Sequence, residues 1–122
     1  MKGLNTAFIS GNFNVVHPGH VRLFAFAKQL AAKLIIGVNS DKVGGADIHI
    51  SQELRLEALK SNSWVDEVVL VDGDINQILL ELRPDIIVKG KEFENRQNPE
   101  EEAAAGYGGR LIFGSAEVSL SS

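Results

Sequence analysis

Short apolar runs alternate with helix-period segments along the chain. Thr6-Ala7-Phe8-Ile9, Leu34-Ile35-Ile36-Gly37-Val38, Val68-Val69-Leu70-Val71, Asp85-Ile86-Ile87-Val88 and Arg110-Leu111-Ile112-Phe113 read as five strands. Their β-branched runs lack polar alternation, the pattern of strands buried on both faces of a parallel sheet. Between the first two, Val21, Leu23, Phe24, Ala27, Leu30 and Ala31 recur at helical spacing and predict a helix over 18–32. Pro18 suits its first turn, where a missing N–H costs nothing. A second helix is expected over 51–60, capped by Ser51, with Glu53 in its first turn and Leu54, Ala58 and Leu59 inward. A third covers 75–82 and stops before Pro84. A short one opens at Asn98-Pro99 and runs to Ala105. Residues 39–50 read as a glycine-containing loop.

Strand–helix alternation predicts an α/β, Rossmann-like, doubly wound sheet. Right-handed crossovers leave few topologies, and the expected strand order is 3-2-1-4-5. A ligand then sits at the carboxyl ends of strands 1 and 4, where the order reverses. That directs attention to Gly11–His20 and Lys89–Phe93.

Composition narrows the classes. A chain of 122 residues with 44% apolar and 23% charged residues fits one soluble globular domain. A net charge of -4 without a basic cluster argues against a nucleic-acid binder. A polyphosphate ligand needs only a few local cations and stays open. The absence of cysteine excludes disulfides, thiolate metal sites and thiol catalysis. No apolar run reaches a membrane span, and the first ten residues lack the core of a signal peptide. No membrane partner and a cytoplasmic protein are expected.

The segment Gly11-Asn12-Phe13-Asn14-Val15-Val16-His17-Pro18-Gly19-His20 follows a strand and opens a helix. Gly11 lets a ligand approach the main chain, and Gly19 keeps the helix start uncluttered. Free N–H groups at that end favour an anion. His17 and His20, three apart, share one side. Together these describe a phosphate site. Two alternatives stay open: a metal held by His17, His20 and His49, and a turn with incidental histidines. There is no Gly-x-x-x-x-Gly-Lys loop, and Gly106-Tyr107-Gly108-Gly109 precedes a strand instead of following one. Arg55 stands at a helix start, where a cation is unfavoured unless an anion faces it. Lys89 ends strand 4 at the switch point. Lys42 and Lys91 are weaker candidates. Arg22, Arg96 and Glu100-Glu101-Glu102 read as solvated surface, and Trp64 and Phe113 as packing.

Gly-x-Phe-x-x-x-His-x-Gly-His resembles the signature of the cytidylyltransferase-like nucleotidylyltransferases. That family includes glycerol-3-phosphate cytidylyltransferase and heptose-1-phosphate adenylyltransferase. Gly37-Val38-Asn39-Ser40-Asp41, Gln52-Glu53-Leu54-Arg55 and Trp64-Val65-Asp66-Glu67-Val68 are similar to further family segments. Pro84-Asp85-Ile86-Ile87-Val88-Lys89-Gly90 and Gly108-Gly109 resemble the heptose enzymes more. Three features depart from the pattern. Asn14 stands where the family usually has Asp. The loop after Asp41 is shorter and keeps only Lys42 of its basic residues. Glu117-Val118-Ser119-Leu120-Ser121-Ser122 matches the triphosphate-holding Ser/Thr motif in part, so residues 1–122 are expected to form a nucleotidylyltransferase domain lacking the family's C-terminal helix.

The resemblance implies transfer of NMP from an NTP, ATP before CTP, to a phosphorylated small molecule such as a sugar or polyol phosphate, with pyrophosphate released. It implies His17, His20 and Lys89 as catalytic. Gly11, Asn12, Phe13, Gly19, Arg55, Gly90, Ser119 and Ser121 join them around the nucleotide, and Asn14 and Lys42 meet the second substrate. Mg²⁺ is expected through the nucleotide phosphates, with no protein metal ligands, and a homodimer is expected. The alternative is a nucleotide-binding or regulatory domain of this fold that has lost turnover.

Overall fold

Five parallel strands order the chain. The computed structural model describes residues 4–114. Within them β1 (Leu4–Gly11), β2 (Ala31–Asn39), β3 (Glu67–Val71), β4 (Ile86–Gly90) and β5 (Arg110–Gly114) form one sheet in the order β3-β2-β1-β4-β5. This is the Rossmann-like topology read from the alternation of elements. The helices are α1 (Pro18–Leu30), the single turn α2 (Asp41–Gly44), α3 (Gln52–Lys60), α4 (Ile75–Leu82) and α5 (Pro99–Tyr107).

Strand residues alternate between two layers. Ala7, Ile9, Leu34, Ile36, Val38, Ile86 and Val88 meet Phe24 and Ala27 of α1 and Leu59 of α3. Phe8, Ile35 and Ile87 point the other way, onto Leu79 of α4 and Ala104 of α5. Gly37 belongs to that second layer. A Cβ there would lie 2.5 Å from the Phe8 ring, so the glycine makes room for the aromatic side chain.

The expected helix over 18–32 ends at Leu30. Ala31, Ala32 and Lys33 are drawn into β2, where Ala31 pairs with Leu4, because the ladder with β1 overrides even the high helix propensity of alanine. The loop over 39–50 carries α2 and a 3-10 turn, Gly45–Asp47, neither of which has a buried residue. In α3 the expected inward face holds at Leu59 but not at Leu54 and Ala58. Leu54 is 58% exposed and Ala58 is exposed, whereas Arg55 and Leu59 are buried. The guanidinium occupies a cage of main-chain carbonyls and sets the helix's rotation. Trp64, expected to pack, is 40% exposed. Glu100, expected on the surface, is buried against Lys89.

The register positions the site. β1 pairs with β2 as far as Gly11–Val38, and β4 with β5 as far as Gly90–Gly114. Between β1 and β4 the register covers only Ala7–Ile86 and Phe8–Ile87. Beyond that point the two central strands share no ladder pair, and a crevice opens at their carboxyl ends.

Candidate active site

A pocket of about 430 Å³ fills this crevice. Its walls are Ile9, Ser10 and Gly11 from β1, Val88, Lys89 and Gly90 from β4, and His17, Gly19 and His20 from the start of α1. Asn12, Phe13, Asn39, Glu92, Phe93 and Glu100 complete the polar and aromatic lining.

The turn between β1 and α1 is built around Phe13. Its φ of 55° lies in the left-handed region, which costs a residue with a Cβ of order 1–3 kcal/mol unless the surroundings hold it. The hold is visible. The ring is 6% exposed, meets Phe24 at 6.0 Å between centroids, and meets His20 edge-on at 5.1 Å. It also lies across Gly11, where a Cβ would come within 3.2 Å of it. Gly11 and Phe13 therefore work as a pair that bends the chain over the crevice.

At the helix start the two histidines cap the main chain. His17 is the N-cap, and its Nδ1 accepts the N–H of Gly19 at 3.0 Å. His20 Nδ1 accepts the N–H of His17 at 3.2 Å. The rings stack at 3.8 Å between centroids. With Nδ1 accepting, each neutral imidazole carries its proton on Nε2 and has a donor to offer there. Burial holds the His20 pKa below the ordinary imidazole value, and the neighbouring His17 adds to the effect against weaker pulls from the Val15 carbonyl and Glu92. No acidic residue occupies the first turn of α1, so nothing there competes with an anion for the helix end.

Lys89 reaches the same pocket from β4. Its Nζ donates to Asn98 Oδ1 and to Glu100 Oε2, each at 2.9 Å, and lies 4.6 Å from the Phe93 ring centroid. Gly90 follows, and the Glu92 side chain folds into the space a Cβ would need there. The opposite wall is neutral: Asn39 Nδ2 donates to Asn12 Oδ1 at 2.8 Å.

Other expected residues lie elsewhere. Arg55 is at the carboxyl edge of the sheet but behind the pocket. Its Nη1 donates to the carbonyls of Asn12 and Asn39 at 2.7 and 2.6 Å, Nε to that of Ile50 at 2.7 Å, and Nη2 to Asp41 at 2.8 Å. Asn14 ties the 39–50 loop. Its Nδ2 donates to the Asp47 carbonyl and its Oδ1 accepts the His49 N–H, both at 2.8 Å. Lys42 is exposed on α2 and does not line the pocket. Ser119 and Ser121 lie outside the described residues. Among the described residues no group of three His, Asp or Glu side chains is placed to hold a metal ion.

Glu92 and Phe93 lie in the Lys89–Phe93 segment to which the topology directs attention, without a role of their own, and sequence reasoning missed Asn39, Asn98 and Glu100. A signal existed for Glu100. It shares a helical stripe with Ala104 and Tyr107, which puts it on the inward face of α5 rather than with Glu101 and Glu102.

Comparison with known proteins shows the family and the fold. The family model described as "Cytidylyltransferase-like" matches residues 8–107. The chain is 36% identical over 117 residues to the bifunctional protein HldE of Caulobacter vibrioides, covering 91% of this chain and 24% of that protein. It is 34% identical over 116 residues to HldE of Syntrophotalea carbinolica, covering 90% and 24%. The chain thus spans about a quarter of the length of these relatives. A solved lipopolysaccharide core biosynthesis protein from Thermoplasma volcanium shares the fold with a TM-score of 0.79 at 23% identity, over 93% of this chain and 98% of that one. A protein of unknown function from Archaeoglobus fulgidus does so with a TM-score of 0.71 at 20% identity, over 93% and 92%.

Proposed function

The chain belongs to the cytidylyltransferase-like family of nucleotidyltransferases, and on that premise we propose that it moves NMP from an NTP to a phosphorylated small-molecule acceptor. The observation that carries this reading is the stacked histidine pair. It sets two Nε2–H donors at a helix N-terminus, in one crevice with the Lys89 ammonium.

The acceptor's phosphate oxygen attacks the α-phosphorus, a new P–O bond forms, and the bond to pyrophosphate breaks. A phosphate monoester has a second pKa of about 6, so the nucleophile is already ionised at neutral pH and needs no general base. Alignment and charge stabilisation do the work. His17 and His20 donate to the triphosphate, with Lys89 beside them. Gly11 and Phe13 bend the chain over the nucleotide, and Asn12, Gly19 and Gly90 line its crevice. Arg55 supports this wall from behind through the Asn12 and Asn39 carbonyls.

One pocket carboxylate fits a magnesium ion carried in by the nucleotide. Glu100 is engaged by Lys89, which leaves Glu92 as the lining carboxylate without an ion pair among the described residues. Mg²⁺ would supply charge neutralisation of the triphosphate, and Glu92 is the residue that would help to hold it. ATP is preferred over CTP and a sugar phosphate is the acceptor. The support is the likeness of residues 84–90 to the heptose-phosphate adenylyltransferases and the similarity to HldE proteins. A cytoplasmic homodimer belongs to the same reading.

One observation favours a binding domain without turnover: the Asn14 amide is spent on the loop. Pyrophosphate release from each NTP with Mg²⁺ and a panel of sugar phosphates separates the two. Acceptor-dependent release, greatest with ATP, is expected. Thermal stabilisation by nucleotide with no release under any combination overturns the transferase reading.

A further inference from the structure

The Lys89 ammonium has three donors, and two of them are taken. Asn98 Oδ1 and Glu100 Oε2 each hold one at 2.9 Å. Glu100 is a buried carboxylate, 9% exposed, in the first turn of α5. Asn98 is fixed in turn, because its Nδ2 donates to the carbonyls of Phe93 and Arg96 at 3.0 and 2.9 Å. The four hydrogen bonds of this amide and carboxylate go to three residues, Lys89, Phe93 and Arg96, in the segment that borders the pocket. A tetrahedral ammonium with two N–H bonds pinned has the direction of its third set. Lys89 lines the pocket, so the third N–H is the one available to a ligand.

We propose that Asn98 and Glu100 are positioning residues, which fix the Lys89 ammonium so that its remaining N–H meets the nucleotide phosphates. This rests on the nucleotidyltransferase reading above. It also explains why a carboxylate stands in a polyphosphate pocket. Glu100 is spent on orienting the cation, and the bond outweighs its repulsion of the ligand at one remove.

The test is a double-mutant cycle on the full chain, titrated with MgATP. Glu100→Ala and Asn98→Ala each weaken binding about tenfold, the scale of a hydrogen bond to a charged group. On a Lys89→Met background the same substitutions change binding by less than about twofold, since they act through the lysine. Glu100→Gln keeps an oxygen acceptor and stays within about threefold of the parent, and it covers the case in which the alanine variant fails to fold. A Glu100→Ala loss equally large without Lys89 overturns the proposal and leaves Glu100 a structural residue of α5. A parent protein that binds no MgATP overturns the nucleotide reading and this proposal together.

Discussion

His17 and His20 stack ring on ring at 3.8 Å, each with its Nδ1 turned to a main-chain N–H of the same helix start. The capping bonds and the tautomer are one feature. A histidine that caps through Nδ1 has its proton on Nε2 when neutral, so the structural bond prepares the donor.

Cap and donor can be separated at position 17. Asparagine is a good N-cap and alanine is a poor one, a difference of about 1 kcal/mol. His17→Asn is therefore expected to unfold in urea close to the parent, and His17→Ala below it. Both lose the Nε2 donor and should slow transfer by about 10²–10³, as for an oxyanion-hole donor. Parallel urea titrations and pyrophosphate-release assays check this. Activity retained in the asparagine variant would confine His17 to capping.

His20 gives stability a pH dependence. Its folded pKa is lowered, chiefly by burial, below the usual value of 6.5. The unfolded chain then binds the proton first as pH falls. The contribution is fully present above about 6.5 and is lost as pH falls toward the folded pKa. Urea unfolding from pH 7.5 to 5.5 should show this slope, and His20→Gln should flatten it. An unchanged slope in the variant assigns the dependence to other groups.

The topology and the histidine pair were legible because both are written locally. Apolar runs give strands, and a spacing of three at a helix start brings two rings together. Arg55 was not legible as an inward residue. A charged side chain on a helix reads as solvated, and its carbonyl cage comes from Asn12, Asn39 and Ile50, segments that meet only after the sheet forms. Leu54 was misread for the same reason, since the caged arginine turns it outward. Glu100 was hidden by Glu101 and Glu102, and its partner Lys89 lies on another element.

Asn14 uses both ends of its amide across the 39–50 loop. Aspartate there can still accept from the His49 N–H, but it cannot donate to the Asp47 carbonyl and faces it with a second acceptor. Asn14→Asp should cost about 1 kcal/mol, and Asn14→Ala a similar amount. Hydrogen exchange tells them apart. The His49 amide should exchange faster in Asn14→Ala and remain protected in Asn14→Asp. Equal protection in all three proteins would mean that other bonds hold the loop.

Arg55 joins the ends of β1 and β2 to the loop and to α3 by four hydrogen bonds from a side chain with no exposed surface. Its one acidic partner, Asp41, has a half-exposed side chain and can return to water. The loss on substitution therefore falls on the three carbonyls. Arg55→Met should destabilise the fold by about 2–4 kcal/mol, measured by urea unfolding. Arg55→Lys should recover only part, because an ammonium is a point donor and cannot span acceptors that a planar guanidinium reaches together. The same variants decide how Arg55 serves the nucleotide. A ligand at 100 times its Kd adds about 2.7 kcal/mol to stability. If Arg55 acts from behind the wall, MgATP at saturation raises the stability of the parent and of Arg55→Met by similar increments. If the guanidinium leaves its cage for the phosphates, the increment shrinks in the variant, and Arg55 joins His17, His20 and Lys89 as a direct ligand.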